Sequence, residues 1–269
     1  MEITQRALLI ISAKTIITHL LSGKFTSSII SIYITNYTYL HRMNTRLENV
    51  LAKNRNNYHT LIDYNAPTDL LLLLDFTAAN TELNTEIFTD TTKFSEYISQ
   101  KMAAANARYG IGGYNEDRVL YKRSTHFDGG EARSIHLGID IWAADGTKVY
   151  APLGGMVHSF AFNNNFGDYG ATIILQHQLD TIAFYTLYGH VSLRDLDQLH
   201  EGKYINRGEV IAHFGEPSEN GDWPPHLHFQ VIEDMDLKEG DYPGVCSISQ
   251  REKYLANCPD PDLILNILG

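Results

Sequence analysis

The feature that most constrains this chain is a series of short apolar words between residues 147 and 232. Segments 147–151, 156–162, 171–176, 182–188, 209–214 and 227–232 are rich in β-branched and aromatic residues. Gly, Asn, Asp and Pro separate them, which is the pattern of strands joined by turns. Such spacing predicts an antiparallel sheet or sandwich. The chain has 269 residues, 43% of them hydrophobic and 11% aromatic, with no short repeat. That composition is enough for a real core and excludes collagen-like, coiled-coil and wholly disordered chains.

Ahead of this β-rich region the texture is helical. Residues 44–58 are polar and helix-favouring, with Leu47, Val50 and Leu51 at helical spacing. A second helix is written by Phe94, Tyr97, Ile98, Met102 and Ala105 after the capping candidates Asp90 and Thr91, and is expected to end near the glycines of 109–114. The run 69–76 (DLLLLLDF) is too short for a bilayer and reads as a buried strand or helix turn. The expected fold is therefore α+β, mainly β with an α-helical N-terminal region. Its divisions are an extension over 1–42, a mainly helical region over 43–120, a β domain over 121–235 and an acidic, Pro-containing tail over 236–269.

The apolar stretch 7–21 is broken by Lys14 and His19 and falls short of the roughly 18 uninterrupted residues of a membrane span. It also makes a poor signal peptide, with only Arg6 beside Glu2 at its start and no clean small-x-small site after it. The expectation is that Met43 is the working start and residues 1–42 are dispensable. The formal charge of −11 argues against nucleic acid and against adhesion to anionic surfaces. Cys246 and Cys258 cannot form a disulfide scaffold; they can bridge each other or remain thiols.

Twelve histidines are many for this length. Four stand in unusual settings: His136 with Asp140 in SIHLGIDIW, His190 in LYGHVS, and His226 with His228 in PPHLHFQV. Positions two apart on a strand share a face, so His226 and His228 can converge on one centre. The bland alternative is a pair of hydrogen-bonded sheet histidines on a wet face. Straight-strand geometry would hold the Cα atoms of His136 and Asp140 about 13 Å apart, at roughly 3.3 Å per residue. Joint use of the two thus requires a bend, which Gly138 permits. Two imidazoles with one carboxylate leave an open fourth position on tetrahedral zinc, the pattern of a catalytic rather than a structural site.

These motifs resemble those of the lysostaphin/LytM-type zinc metallopeptidases, metallopeptidase family twenty-three, most of which cut peptidoglycan cross-bridges. The family's H-x-x-x-D, its later histidine after tyrosine and its H-x-H stand here in order as His136/Asp140, Tyr188-Gly-His190 and His226/His228. The connecting segments 145–157, 167–177 and 205–215 are similar too, so the resemblance spans roughly residues 127–232. It implies a small antiparallel β core of the duplicated-hybrid-motif type with a groove across it. It also implies one zinc per chain on His136, Asp140 and His228, with His190 and His226 as the catalytic pair. Tyr188, Asn163, Asp168 and Tyr169 are the candidates for the groove. The substrate implied is a peptidoglycan-type peptide, and the location implied is the cell envelope, with the cytoplasm as the alternative because similar domains occur in proteins without export signals.

Two rival readings exist. Domains of this type that have lost their ligands serve as binding or activating modules, but all five side chains are present here. A cupin-like metalloenzyme is imitated by His226-x-His228 followed by Glu233, yet a cupin draws a further histidine from downstream and none follows His228. His158 and His177 read as sheet positions, His200 and His213 as surface or sheet-edge residues, and His126 as a histidine near enough to His136 to be a lesser candidate for touching the site.

Overall fold

The computed structural model describes residues 45–123 and 131–268, all within the compact unit Thr45–Gly269. The expectations for residues 1–42, for the Met43 start and for His126 lie outside the described residues.

Helix α1 (Arg46–Lys53) is started by a capping box, in which Thr45 Oγ1 accepts from the Glu48 amide at 3.2 Å and Glu48 returns the bond to the Thr45 amide. Its buried stripe is Leu47 and Leu51. Strand β1 (Leu71–Leu74) follows, then the short helix α2 (Thr85–Phe88) and the longer α3 (Thr91–Ala104). Asp90 caps α3 by accepting from the amides of Thr92 and Lys93, as its sequence predicts. Phe94 and Ile98 are the residues α3 buries.

The stretch read as a helix terminus is instead strand β2 (Tyr109–Gly112), parallel to β1 and antiparallel to the next sheet strand. Its glycines are there for close approach. A Cβ on Gly110 would stand 2.7 Å from Leu74 Cδ1, and one on Gly112 would stand 2.6 Å from Arg118 Nη2. The apolar run 69–76 does form a strand, but on the sheet edge, where Leu73 is 68% exposed rather than buried. The region expected to be mainly helical therefore supplies two strands to the sheet.

The remaining strands are β3 (Arg133–His136), β4 (Ile139–Trp142), β5 (Lys148–Tyr150), β6 (Gly155–Asn163), β7 (Gly170–Leu179), β8 (Ile182–Val191), β9 (Tyr204–Ile205), β10 (Val210–His213), β11 (His226–Ile232) and β12 (Val245–Ser247). Helices α4 (Arg251–Asn257) and α5 (Asp262–Leu265) end the chain. Eight of the described strands form one sheet in the order β1-β2-β4-β11-β8-β7-β6-β9, while β10 pairs with β5 and β12 with β3. All six strands read from the sequence are present. The fold is mainly β and, apart from β1 with β2, antiparallel.

Strand alternation sorts the two faces of the sheet. Ile111, Ile139, Ile141, Leu227, Phe229 and Val231 face one core, which the β5–β10 pair closes with Val149 and Ile211. The opposite face carries the polar members of the same strands, between a cluster around Phe76, Phe94 and Trp142 and another around Ile135, Leu187, Cys246 and Cys258. Both cysteines are free and buried. Burial pushes the Cys246 thiol up to about 11 and the Cys258 thiol up to about 12. Among the described residues, no helix is long and apolar enough to cross a membrane.

Candidate metal centre

His226, His228 and Gln230 alternate along β11 on the polar face, with β4 on one side and β8 on the other. Register pairs His228 with Asp140 on β4 and with Gly189 on β8. The chain breaks between β3 and β4, so His136 folds back over the sheet and reaches Asp140 despite the straight-strand distance. Gly138, at that break, lies against β11: an added Cβ would stand 2.5 Å from His228 Cε1 and 2.7 Å from the Phe229 carbonyl oxygen. The required bend thus exists, and glycine is needed there for close approach to the imidazole.

His136 Nε2, His228 Nδ1 and Asp140 Oδ1 meet at one point. Their separations are 3.0 Å between the two nitrogens, 3.1 Å from His228 to Asp140 and 3.3 Å from His136 to Asp140. The other ring nitrogens fix the tautomers. His136 Nδ1–H donates to the Gly113 carbonyl at 2.8 Å, and His228 Nε2–H donates to Gln230 Oε1 at 2.9 Å. The two nitrogens that face each other therefore carry lone pairs, with a carboxylate oxygen beside them. Burial, reinforced by the Arg118 charge, lowers the His136 pKa to about 3 and so disfavours a proton on that ring. Burial also opposes the charge of Asp140, but His136 and Arg118 hold its carboxyl well below the usual range. A cation among the three atoms satisfies all of them. Two imidazole nitrogens and one carboxylate oxygen fit zinc with one position left open.

The supports of the triad are themselves anchored. Gln230 Nε2 donates to the Pro243 carbonyl at 3.2 Å and to Cys258 Sγ at 3.3 Å, which fixes the amide oxygen toward His228. The Tyr169 hydroxyl lies 3.4 Å from His228 Nε2. Gln230 was missed by the sequence reading, although the period of two in H-x-H-x-Q places it on the face of the two histidines.

His190 and His226 stand together beside the triad, ring centroids 4.2 Å apart. His226 stacks on Trp142 at 3.9 Å and donates Nδ1–H to the Pro224 carbonyl at 2.8 Å. His190 donates Nδ1–H to the Asn220 carbonyl at 2.8 Å. Both rings are thus left with Nε2 as the accepting atom. Burial lowers the His226 pKa to about 4, and burial with the neighbouring His226 and His228 holds His190 well below its ordinary value.

Simple alternation would put His190 on the face of Tyr188, away from His226. It is turned by a bulge: Gly189 and His190 on β8 oppose only Thr172 on β7. His190 itself sits at φ +62°, the left-handed region that costs a residue with a Cβ. The strain and the bulge together aim this imidazole into the site.

Of the groove candidates, Asp168 and Tyr169 line the pocket over the triad, with Trp223, Arg133, Tyr242 and Arg118. Tyr188 is fully buried in the core on the other face, bonded to Thr186 at 3.0 Å, and Asn163 bonds Thr172 and the Gly240 carbonyl; neither lines the pocket. His158, His177, His200 and His213 hold local partners, Ser159, Thr186, the Glu201 carbonyl and Asp195 respectively, and none lines the pocket.

No curated protein matches the chain. Three solved structures similar to it are a zinc containing peptidase from Vibrio cholerae, Csd3 of Helicobacter pylori and the catalytic domain of the antimicrobial peptidase lysostaphin from Staphylococcus simulans. Identity to the Vibrio peptidase is 26% at TM-score 0.32, over 44% of this chain and 31% of that one. For Csd3 the values are 23% and 0.30, over 46% and 32%. For the lysostaphin domain they are 21% and 0.35, over 59% and 97%. This chain thus spans about a third of the length of the first two. Residues 134–239, which carry His136, Asp140, His190, His226 and His228, match the model of Peptidase family M23.

Proposed function

We propose that the chain is a zinc-dependent metalloendopeptidase that hydrolyses peptide bonds in peptidoglycan-type stem peptides or cross-bridges. The observation that carries this reading is the pair of bare nitrogens, His136 Nε2 and His228 Nδ1, held 3.0 Å apart beside a carboxylate oxygen. In a buried setting that arrangement is unfavourable until a cation occupies it. The match of residues 134–239 to a peptidase family model supports the reaction class.

The chemistry a zinc ion held there would supply is Lewis acidity, which would activate water near neutral pH and polarise a carbonyl oxygen. His136, Asp140 and His228 would hold the ion. His190 and His226 divide the proton traffic, since both have their Nδ1–H committed to backbone carbonyls and offer Nε2 to the pocket. Burial depresses the basicity of both rings and so favours the neutral form, whose Nε2 can accept a proton. Trp142, stacked on His226, fixes the plane of that ring. Tyr169 and Asp168 stand on the pocket wall as contacts for the peptide.

The test is release of new amino groups from purified sacculi and muropeptides by the full chain, with and without a chelator. Zinc-restored, chelator-sensitive release is expected. Stoichiometric zinc with no cleavage of any peptide in the panel would favour a binding module instead.

A further inference from the structure

The side chain nearest to the triad that no sequence motif announces is Arg118. Only 2% of the residue is exposed, and its guanidinium has an acceptor on every nitrogen. Nη1 donates to Asp140 Oδ2 at 2.5 Å and to the Tyr121 hydroxyl at 3.3 Å, Nε donates to Glu116 Oε2 at 2.7 Å, and Nη2 donates to the Gly113 carbonyl at 3.2 Å. The ring of Phe76 lies 5.1 Å from the guanidinium carbon. The space it occupies exists because residue 112 has no Cβ.

Two of these bonds bear on the triad. Asp140 has two oxygens: Oδ1 faces His136 and His228, and Oδ2 is held by Arg118. The Gly113 carbonyl that takes the Nη2 proton is the one that takes the His136 Nδ1 proton. A single planar fork thus ties together the supports of two of the three candidate ligands, a geometry that arginine supplies and lysine cannot reproduce. Glu116 balances the buried charge and is itself fixed by the Phe76 amide at 3.1 Å.

We propose that Arg118 is a positioning residue of the cation site, holding Oδ2 of Asp140 so that Oδ1 alone is offered to the ion while the shared Gly113 carbonyl keeps His136 in register. The inference rests on the cation reading given above. It concerns a residue ahead of the family-matched segment, joined to that segment by a β-bridge of its neighbour Asp117 to Ile135 and its own amide bond to the Ser134 carbonyl.

The experiment is titration of the full chain with Co(II) alone and, by competition, Zn(II), for wild type, Arg118→Gln and Arg118→Lys. Urea midpoints run alongside. Supporting residues of a metal ligand typically carry 10–100-fold in affinity. Arg118→Gln, folded, is expected to lose about 10–100-fold and to show a weaker visible Co(II) band, as the released carboxylate oxygen adds a ligand. Arg118→Lys should recover part of both. A folded Arg118→Gln chain with wild-type affinity and spectrum would overturn the proposal. So would a gain in affinity, which would make the guanidinium a competitor of the ion. If Arg118→Gln fails to fold, Arg118→Lys decides: weaker binding supports the proposal and unchanged binding overturns it. Wild type that binds neither ion would instead overturn the cation reading itself, a different failure from unaltered variants of a binding wild type.

Discussion

His228→Ala is expected to lose both the cation and the hydrolytic activity. His228 Nδ1 stands 3.0 Å from His136 Nε2 and 3.1 Å from Asp140 Oδ1, so its removal leaves two donors where zinc needs at least three from protein. Among the described residues, His136, Asp140 and His228 are the group placed to hold a metal ion. Zinc affinity should fall at least as far as for loss of a supporting residue, about 100-fold, and peptide cleavage should fall to background. Removal of a buried side chain from β11 also costs stability, about 1–3 kcal/mol, so a urea titration must accompany the metal assay. Zinc content after exhaustive dialysis, read beside amine release, checks the expectation. Wild-type zinc retention in a folded His228→Ala chain would remove His228 from the ligand set.

His190→Ala should separate the two functions. His190 lies outside the group placed to hold a metal ion, and its Nδ1–H is spent on the Asn220 carbonyl. The variant should keep zinc at wild-type stoichiometry while kcat drops about 10²–10⁴-fold, the usual contribution of a positioned acid or base. The backbone at this residue has positive φ, so alanine carries strain there as histidine does. His190→Asn is the companion variant, because asparagine tolerates that region. Both should bind zinc and be slow. Equal loss of metal in His190→Ala and His228→Ala would show that the division into ligands and proton carriers is wrong.

These predictions concern residues that the sequence itself made visible, because they sit in short local patterns. H-x-H on an apolar strand fixes a shared face by the period of two alone, and the H-x-x-x-D separation becomes useful once the chain bends between β3 and β4. The strands between residues 147 and 232 were legible for the same local reason. What failed locally was settled by packing. The glycines of 109–114 look like a helix terminus, but they allow β2 to lie against Leu74 and Arg118. Tyr188 precedes His190 by two residues and was placed with it in the site. The bulge at Gly189 and His190 sends the two side chains to opposite faces, and no residue type in the segment announces that bulge. Arg118 is a lone arginine in a polar stretch, eighteen positions ahead of His136. Its significance exists only once β2, β4 and the 113–118 loop are folded together.

Equilibrium dialysis of the full-length chain against zinc, read as moles bound per mole of chain, bears most directly on the meeting of His136, Asp140 and His228 around one ion. The expected result is a single tight site per chain that disappears in His228→Ala. Binding far below one per chain, or one tight site that survives in a folded His228→Ala protein, would contradict the account.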